Sequence, residues 1–334
     1  MPQTMVDVEV ISSALRLACR APSVHNSQPW RWVSENSVLH LFVDRRRRVD
    51  IADRSGREAI ISCGAVLDHL RVAMVAAGWQ ADIARFPSPN DKDHVASVEF
   101  SPLTFVTDIQ RERAQAILQR RTDRLPLDRP TYWETFEPVL RSSVDETVAM
   151  LDVLSDQMRP QLAQATQISE NLRREDASYQ AELQWWTAPF ALFGGVPPDA
   201  LPSGSERQRV DVARDFGSRG HERRRREVAA DWSKVVVLST AQDSRAEVLR
   251  CGEALSTVLL ECTMAGMATC TLTHLIEFDE SRDIVRSMVA EGGEPQVLIR
   301  VGIAPPMEDL PAATPRRPLD DVLEIRQPPA AYAL

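Results

Sequence analysis

Apolar residues recur at helical spacing in the long segments of this chain. In residues 8–20, the apolar positions that share one helical face are Ile11, Leu15 and Ala18. Pro22 ends that helix, because a proline disfavours helical geometry in the residue before it. The more apolar run 57–77 has the length of a buried helix. Both segments are therefore predicted helices.

Short apolar runs before and after the second helix predict β-strands, and the same pattern returns later in the chain. The predicted strands are 38–43, 95–100, 234–239 and 296–301. Two further helices are predicted at about 244–265 and 279–290. Short strands mixed with long helices favour an α+β fold.

The chain has the features of two unequal copies of one unit. Cys63-Gly64 opens the apolar part of one helix and Cys251-Gly252 that of another, and both helices end in Ala-Gly, at Gly78 and Gly266. Since these matches share one offset, we predict a tandem duplication, with repeats at 1–107 and 108–334. The second repeat carries an insertion at about 130–232 that is predicted to be mostly helical.

Composition restricts the class of protein. The net charge of −9 argues against nucleic acid or an anionic membrane as a partner, and 43% hydrophobic residues is ordinary for a globular protein. No signal peptide is evident, and no apolar run approaches the ~20 residues of a membrane helix. The 5 cysteines show no CxxC spacing, which predicts buried thiols, no metal site and a cytoplasmic location.

The densest cluster of candidate chemistry is the loop 21–30, with the sequence APSVHNSQPW. Ser23, Asn26 and Gln28 offer a hydroxyl and two carboxamides, which together donate and accept hydrogen bonds. Such a loop suits a planar ligand with polar edges. The alternative is an ordinary loop that ends a helix.

This loop resembles the PSxxNxQPW motif of the nitroreductase family, FMN-dependent enzymes with an α+β fold, and PSVHNSQPWRW resembles the actinobacterial Acg branch. In that family one subunit of an intertwined dimer supplies the loop, and the other supplies most phosphate contacts. The resemblance implies FMN as cofactor. The matching positions that it marks as flavin contacts are Arg20, Pro22, Ser23, Asn26 and Gln28.

Three other segments resemble flavin-binding parts of the family. RRTDR at 120–124 resembles the phosphate-binding RRSxR segment, PRRPLDDV at 315–322 the basic closing segment, and GMATCTLT at 266–273 the stretch beside flavin N5. The implied cofactor residues are Arg120, Thr122, Arg124, Thr271, Thr273, Arg316 and Arg317. Each segment also has a plainer interpretation, respectively a solvated helix end, a basic tail and a threonine-rich strand edge.

The distribution of these elements predicts the stoichiometry. The first repeat has the loop but neither arginine segment, whereas the second repeat has both arginine segments but no such loop. We therefore expect one FMN per chain between the repeats, and an empty second position. The fold expected is an α+β, nitroreductase-like fold, duplicated so that one chain imitates the family's dimer. The chain is then expected to be a monomer with an internal pseudo-dimer and a small molecule as its only partner.

Two functions follow from the resemblance. One is an NAD(P)H-dependent reductase of nitroaromatics or quinones, in which the flavin carries the hydride and no side chain is nominated as catalytic. The other is a flavin-sequestering protein with little turnover, in which the bulky segment 185–202 forms a lid. A third interpretation is a duplicated scaffold that has lost flavin. No GxGxxG, P-loop, GxSxG or HExxH pattern supports another enzyme class.

Overall fold

The computed structural model describes residues 6–188, 194–217, 224–307 and 312–326. In these ranges the helices are α1 Val8–Ala18, α2 Arg57–Ala76, α3 Asp108–Gln119, α4 Trp133–Ser142, α5 Arg159–Arg174, α6 Ala177–Trp186, α7 Gly204–Arg207, α8 Arg245–Met264, α9 Asp279–Arg286 and α10 Leu319–Val322. The strands are β1 Trp30–Glu35, β2 Val38–Val43, β3 Trp79–Arg85, β4 His94–Pro102, β5 Met150–Leu154, β6 Lys234–Thr240, β7 Ala268–Leu272, β8 Glu294–Gly302 and β9 Leu323–Arg326.

The strands form two sheets with corresponding strand orders. The first sheet has the order β3-β4-β2-β1-β9, and the second has β7-β8-β6-β5. All pairings are antiparallel except that of β1 with β9. The C-terminal strand β9 thus joins the sheet of the first repeat. The two halves are structurally alike, as the duplication predicts, while their origin from one ancestral unit stays a prediction.

Helices α2 and α8 cross at the centre of the molecule, and glycine permits their close approach. A Cβ on Gly64 would lie 2.1 Å from the Leu249 carbonyl oxygen, and one on Gly252 would lie 2.2 Å from that of Ile61. These contacts are reciprocal, because Ile61 and Leu249 also correspond in the two repeats. The repeated Cys-Gly pair is therefore the crossing point of the two halves.

One hydrophobic core spans both repeats. It includes Leu67 and Met74 from α2, Leu255 and Val258 from α8, and both sheets contribute to it. The expectation that no apolar run approaches the length of a membrane helix was wrong, because α2 is long and apolar enough by length and composition; most of it is buried in this core. All five cysteines are free and buried, as expected from their spacing.

The predicted elements are confirmed, and the insertion is positioned differently from the prediction. Strand β5 lies inside the region 130–232 and pairs with β6 as β1 pairs with β2. Helix α4 precedes β5 as α1 precedes β1. The position that corresponds to the loop 21–30 is therefore 143–149, and the segment 184–204 belongs to an insertion between β5 and β6.

Candidate functional site

The loop after α1 has an unusual backbone. His25, Asn26 and Gln28 all have positive φ, at 48°, 54° and 53°. This conformation is uncommon for residues other than glycine and is often found at binding sites. Internal hydrogen bonds maintain it: the Gln28 N–H donates to Ser23 Oγ at 3.0 Å, and Gln28 Nε2 donates to the Asn26 carbonyl at 3.2 Å.

Arginines surround a small polar cavity at the end of α1, which we call the anion pocket. Among the described residues its lining includes no carboxylate; it comprises Arg20, Pro22, Ser23, Asn26, Leu118, Arg120, Arg121, Thr122, Arg124, Gly195, Val196, Pro197, Ala313, Thr314 and Arg316. Burial, and then the neighbouring arginines, lower the pKa of Arg120 to about 10 and that of Arg316 to about 9. A bound anion would remove this electrostatic cost, since guanidinium groups suit phosphate.

The pocket arginines also fix the chain around the end of α1. Arg120 Nη2 donates to the Arg20 carbonyl at 3.0 Å, and Arg316 Nε donates to the Cys19 carbonyl at 3.0 Å. Arg120 Nε is buried and has no hydrogen-bond partner among the described residues. Part of the donor capacity of this cluster is thus left for a ligand.

A larger and more apolar cavity, the ring cavity, adjoins the anion pocket and shares Pro22, Ser23, Thr122 and Arg124 with it. It contains about 870 Å³ of space free of protein atoms, part of it open to solvent. The rest of its lining consists of Val24, His25, Glu58, Ile61, Ser62, Pro202, Ala213, Arg214, Phe216, Leu255, Cys270, Thr271, Leu272, Thr273, His274 and Val297. Apolar walls with a few polar groups are typical of a site for a planar organic ligand.

The polar groups of the ring cavity have strongly shifted ionisation. Burial lowers the pKa of His25 and His274 well below the usual range, so both rings are neutral at pH 7. Burial, with Glu277 and Asp53 nearby, raises the pKa of Glu58 well above its usual range. Arg214 keeps its charge, because it forms a buried ion pair with Glu277.

Most of the predicted site residues meet at these two cavities. Arg20, Asn26, Arg120 and Arg316 line the anion pocket, Thr271 and Thr273 line the ring cavity, and Pro22, Ser23, Thr122 and Arg124 line both. Gln28 and Arg317 line neither cavity. The Gln28 side chain is buried and accepts the Arg317 N–H at 2.9 Å, while Arg317 forms an ion pair with Asp44. These two residues connect the C-terminal segment to the loop.

The lining residues that were not predicted include Glu58, Arg214, Phe216 and His274. Glu58 had a sequence signal, because it is a carboxylate at the start of a long apolar helix and is followed at once by Ala59, Ile60 and Ile61. Arg214 and Phe216 line the cavity because the insertion folds over the site. No spacing in the sequence indicates this fold of the insertion.

The insertion covers the site with residues 194–217, which we call the cover segment. Asn26 Nδ2 donates to the Gly195 carbonyl at 3.0 Å, and Phe216 packs edge-on against the His25 ring at a centroid distance of 5.8 Å. Within the segment 185–202 that was predicted as a lid, Gly195, Val196, Pro197 and Pro202 line the cavities. Trp185 and Trp186 line neither cavity, and Trp186 packs in a separate cluster with Val49. Part of the segment predicted as a lid, 189–193, lies outside the described residues.

Two runs of four arginines lie at 45–48 and 223–226, and members of both form contacts within the protein. Arg225 is buried and paired with Asp123, and Arg224 is paired with Glu206. Arg223 lies outside the described residues. In the first run, Arg47 lies over the Trp186 ring and donates to the Ser27 carbonyl at 2.8 Å, so this arginine supports the loop 21–30.

In the other half of the molecule, the position that corresponds to the ring cavity offers different groups. Where the second repeat has Thr271 and Thr273, the first has Ile83 and Arg85. Arg85 forms an ion pair with Glu253 through two hydrogen bonds, from Nε to Oε1 at 2.7 Å and from Nη2 to Oε2 at 2.6 Å. The polar groups there are partnered by the protein itself. Among the described residues, no cluster of three potential metal ligands is found at either position.

No family model matches the chain. The chain is 66% identical over 324 residues, 96% of this chain and 94% of the relative, to an uncharacterized protein of Mycobacterium tuberculosis. It is 54% identical over 326 residues, 98% of either chain, to the Mycobacterium tuberculosis protein named "Putative NAD(P)H nitroreductase acg".

Solved structures of low identity are also similar. The FMN-dependent nitroreductase NfnB of Mycobacterium smegmatis, in complex with NADPH, is 21% identical with a TM-score of 0.41, over 66% of this chain and 100% of that chain. A nitroreductase of Bacteroides fragilis with bound FMN is 14% identical with a TM-score of 0.35, over 60% of this chain and 95% of that chain.

Proposed function

The chain belongs to the Acg-type branch of the nitroreductase family, and from this premise we propose that it binds one FMN between its two repeats. The anion pocket would hold the phosphate, and the ring cavity would hold the isoalloxazine. NAD(P)H is the proposed reductant, because the Acg relative is named for it.

One observation carries the proposal: Arg20, Arg120 and Arg316, for which the described residues provide no carboxylate ion pair, adjoin a cavity with apolar walls. Arg20, Arg120 and Arg316 together exceed the charge of one phosphate dianion, which their charge-assisted hydrogen bonds would stabilise. The opposite order is disfavoured, since the walls of the ring cavity are mostly apolar and the charge of its Arg214 is already balanced by Glu277.

When bound, FMN would supply the hydride chemistry of the site. The protein's own groups would position the ring and exclude water. Thr271 and Thr273 stand on and after β7 and present hydroxyls to the cavity, while Ile61 and Leu255 from the two central helices form apolar walls. This arrangement is consistent with reduction of flat aromatic acceptors such as nitroaromatics or quinones.

A second candidate function is flavin sequestration, and the cover segment supports it. Gly195, Pro202, Arg214 and Phe216 lie over the two cavities. Arg214 is fixed by its ion pair with Glu277 and by a 2.8 Å hydrogen bond to the Tyr179 hydroxyl. A cover fixed in this way would restrict the approach of NAD(P)H to a bound flavin.

The test is the anaerobic visible spectrum of the purified protein during addition of NADPH, with dithionite as endpoint. Rapid bleaching of a flavin band would establish a reductase. A band that dithionite bleaches and NADPH does not would favour sequestration. Absence of a flavin band after FMN is added would refute the cofactor assignment.

A further inference from the structure

Asn26 carries a buried amide at the point where three segments of the chain meet around the anion pocket. The residue is 8% exposed and lines the pocket. Its Nδ2 donates to the Gly195 carbonyl at 3.0 Å and to the Pro315 carbonyl at 3.1 Å, which lie 169 and 289 residues further along the chain. One amide therefore joins the loop 21–30 both to the cover segment and to the C-terminal segment.

The two carbonyls that Asn26 binds belong to two walls of the anion pocket. The cover segment supplies one wall and the C-terminal segment the other, and these walls consist respectively of Gly195, Val196 and Pro197, and of Ala313, Thr314 and Arg316. Pro315 directly precedes Arg316, so its carbonyl lies on the backbone from which the Arg316 guanidinium extends. The two Asn26 bonds thus fix the distance between the walls at the place proposed for the phosphate.

The amide has no donor left for a ligand. A carboxamide has two N–H donors, and Asn26 uses both of them for backbone carbonyls. Its Oδ1 is buried and has no hydrogen-bond partner among the described residues. This oxygen only accepts hydrogen bonds, as the oxygens of a phosphate dianion do, so the two would repel each other. Asn26 can therefore affect a bound phosphate only through the walls that it joins.

The backbone around Asn26 keeps the amide in place. Its φ is 54°, in the left-handed region that asparagine tolerates better than most residues do. The Asn26 N–H donates to the Ser23 carbonyl at 3.0 Å, and the Asn26 carbonyl accepts from Gln28 Nε2 at 3.2 Å. A fixed backbone of this kind suits a residue that positions its neighbours.

We propose that Asn26 is a positioning residue, which sets the affinity of the anion pocket for a phosphate by joining the two walls, without contacting the phosphate itself. This inference rests on the FMN binding proposed above, and it departs from the direct flavin contact that the resemblance implies. FMN and riboflavin share the ring and the ribityl chain and differ in the phosphate. An effect through the pocket walls is therefore confined to FMN.

The experiment compares the binding of FMN and of riboflavin by the wild type and Asn26→Gly. Glycine adopts a positive φ readily, so this substitution removes the amide and leaves the backbone conformation accessible. We expect Asn26→Gly to bind FMN about tenfold more weakly than the wild type, and riboflavin within about twofold. A loss in stability alone would lower both affinities together and would leave their ratio unchanged.

Asn36→Gly is the matched control, because Asn36 has a φ of 50° and is exposed in the turn between β1 and β2. This variant should bind both ligands as the wild type does. Asn26→Asp is a second test variant, which keeps the shape of the side chain and lacks both donors. It should lose FMN affinity at least as strongly as Asn26→Gly, and it makes the same comparison if the glycine variant does not fold.

Inorganic phosphate is a probe that does not depend on the flavin ring. It should raise the melting temperature of the wild type and of Asn36→Gly more than that of Asn26→Gly. An equal rise in all three proteins would contradict a role of Asn26 in the phosphate affinity of the pocket.

The flavin titrations can overturn the inference in two ways while FMN binding itself stands. Equal weakening of FMN and riboflavin binding in Asn26→Gly would show that the Oδ1 atom contacts a part that both ligands share. Equal FMN affinity of Asn26→Gly and Asn36→Gly would show that the walls keep their positions without the amide. Failure of the wild type to bind FMN would overturn the proposed function, and this inference with it.

Discussion

At the scale of single residues, the anion pocket differs from the other arginine sites in the partners of its guanidinium groups. Arg225 and Arg214 have carboxylate partners at Asp123 and Glu277, whereas Arg120 and Arg316 donate only to backbone carbonyls in the bonds described. Backbone carbonyls accept the hydrogen bonds of a guanidinium group, but they do not neutralise its positive charge. A ligand that supplies negative charge would therefore stabilise Arg120 and Arg316.

Replacing Arg120 with glutamine should separate ligand affinity from protein stability. We expect Arg120→Gln to weaken FMN binding about tenfold or more, because a charge-assisted contact is lost. Thermal stability without FMN should change little, since the substitution also relieves repulsion among neighbouring arginines. FMN titration and thermal melts of the same preparations measure both quantities.

The control for this substitution is Arg111→Gln, an exposed arginine on the same helix α3. Inorganic phosphate provides an independent probe, and it should raise the melting temperature of the wild type more than that of Arg120→Gln. Equal affinity of Arg120→Gln and Arg111→Gln for FMN would refute the phosphate assignment.

Three buried histidines should make the protein sensitive to mild acid. Burial lowers the pKa of His25, His69 and His274 well below 6.5. Below pH 6.5 the unfolded chain therefore binds protons that the folded chain does not, so stability is present above this pH and is lost as the pH falls. We expect a loss of about 1.4 kcal/mol per pH unit for each histidine.

Denaturant unfolding of Glu58→Gln between pH 7.5 and 5.5 measures this slope, because the raised pKa of Glu58 would contribute a slope of opposite sign in the same window. His274→Asn in the same background should reduce the slope by about 1.4 kcal/mol per pH unit, the contribution of one proton. A slope near zero in Glu58→Gln would contradict the lowered pKa of these rings in the folded protein.

At the scale of elements, sequence patterns located those with strong periodicity. The bounds of helix α2 were predicted within one residue, because a long apolar run is typical of a buried helix. Strand β5 was missed because Met150–Leu154 is a short apolar run inside a region predicted to be mostly helical, and its pairing with β6 identifies it as a strand. The loop 21–30 was found by its motif. The position of Phe216 was not, because it depends on long-range packing of the cover segment against the loop, which local sequence patterns do not encode.

The crossing of α2 and α8 should be intolerant of even one methyl group. Gly64→Ala and Gly252→Ala would each place a Cβ within 2.2 Å of a backbone carbonyl oxygen, so the helices must move apart. We expect a loss of about 3 kcal/mol in the free energy of unfolding. Gly78→Ala is the control, because a Cβ there meets nothing and only its φ of +86° is unfavourable. A loss in Gly64→Ala no larger than in Gly78→Ala would contradict the close-approach argument.

Phe216 is the side chain with which to test the cover segment. Phe216→Ala removes a ring that packs against His25 and against the Arg124 guanidinium, 5.1 Å from its centroid. If the cover restricts access, NADPH should reduce bound FMN about tenfold faster in this variant or more. Trp185→Ala, which lies outside both cavities, should leave the rate unchanged. Equal rates in the wild type and Phe216→Ala would exclude a gating role for this ring.

At the scale of the whole molecule, the two halves are alike in architecture and unlike in chemistry. One core joins them, and the strand orders of their sheets correspond. Yet Glu58, Thr271 and Thr273 correspond to Ala246, Ile83 and Arg85. Symmetric packing therefore does not imply two equivalent ligand sites, because a site requires specific groups as well as a similar backbone.

This asymmetry predicts a stoichiometry of one FMN per chain and a single unfolding transition. The core that spans both repeats should make them unfold together, and a ligand bound between them should stabilise both at once. Free FMN at about 100 times its dissociation constant would add about 2.7 kcal/mol to the free energy of unfolding. Titration of the FMN-free protein, followed by absorbance and calorimetry, measures the ratio and the transition. A ratio of two would show that the Arg85 side also binds FMN, and two separate transitions, only one of them shifted by FMN, would show that the ligand contacts one repeat alone.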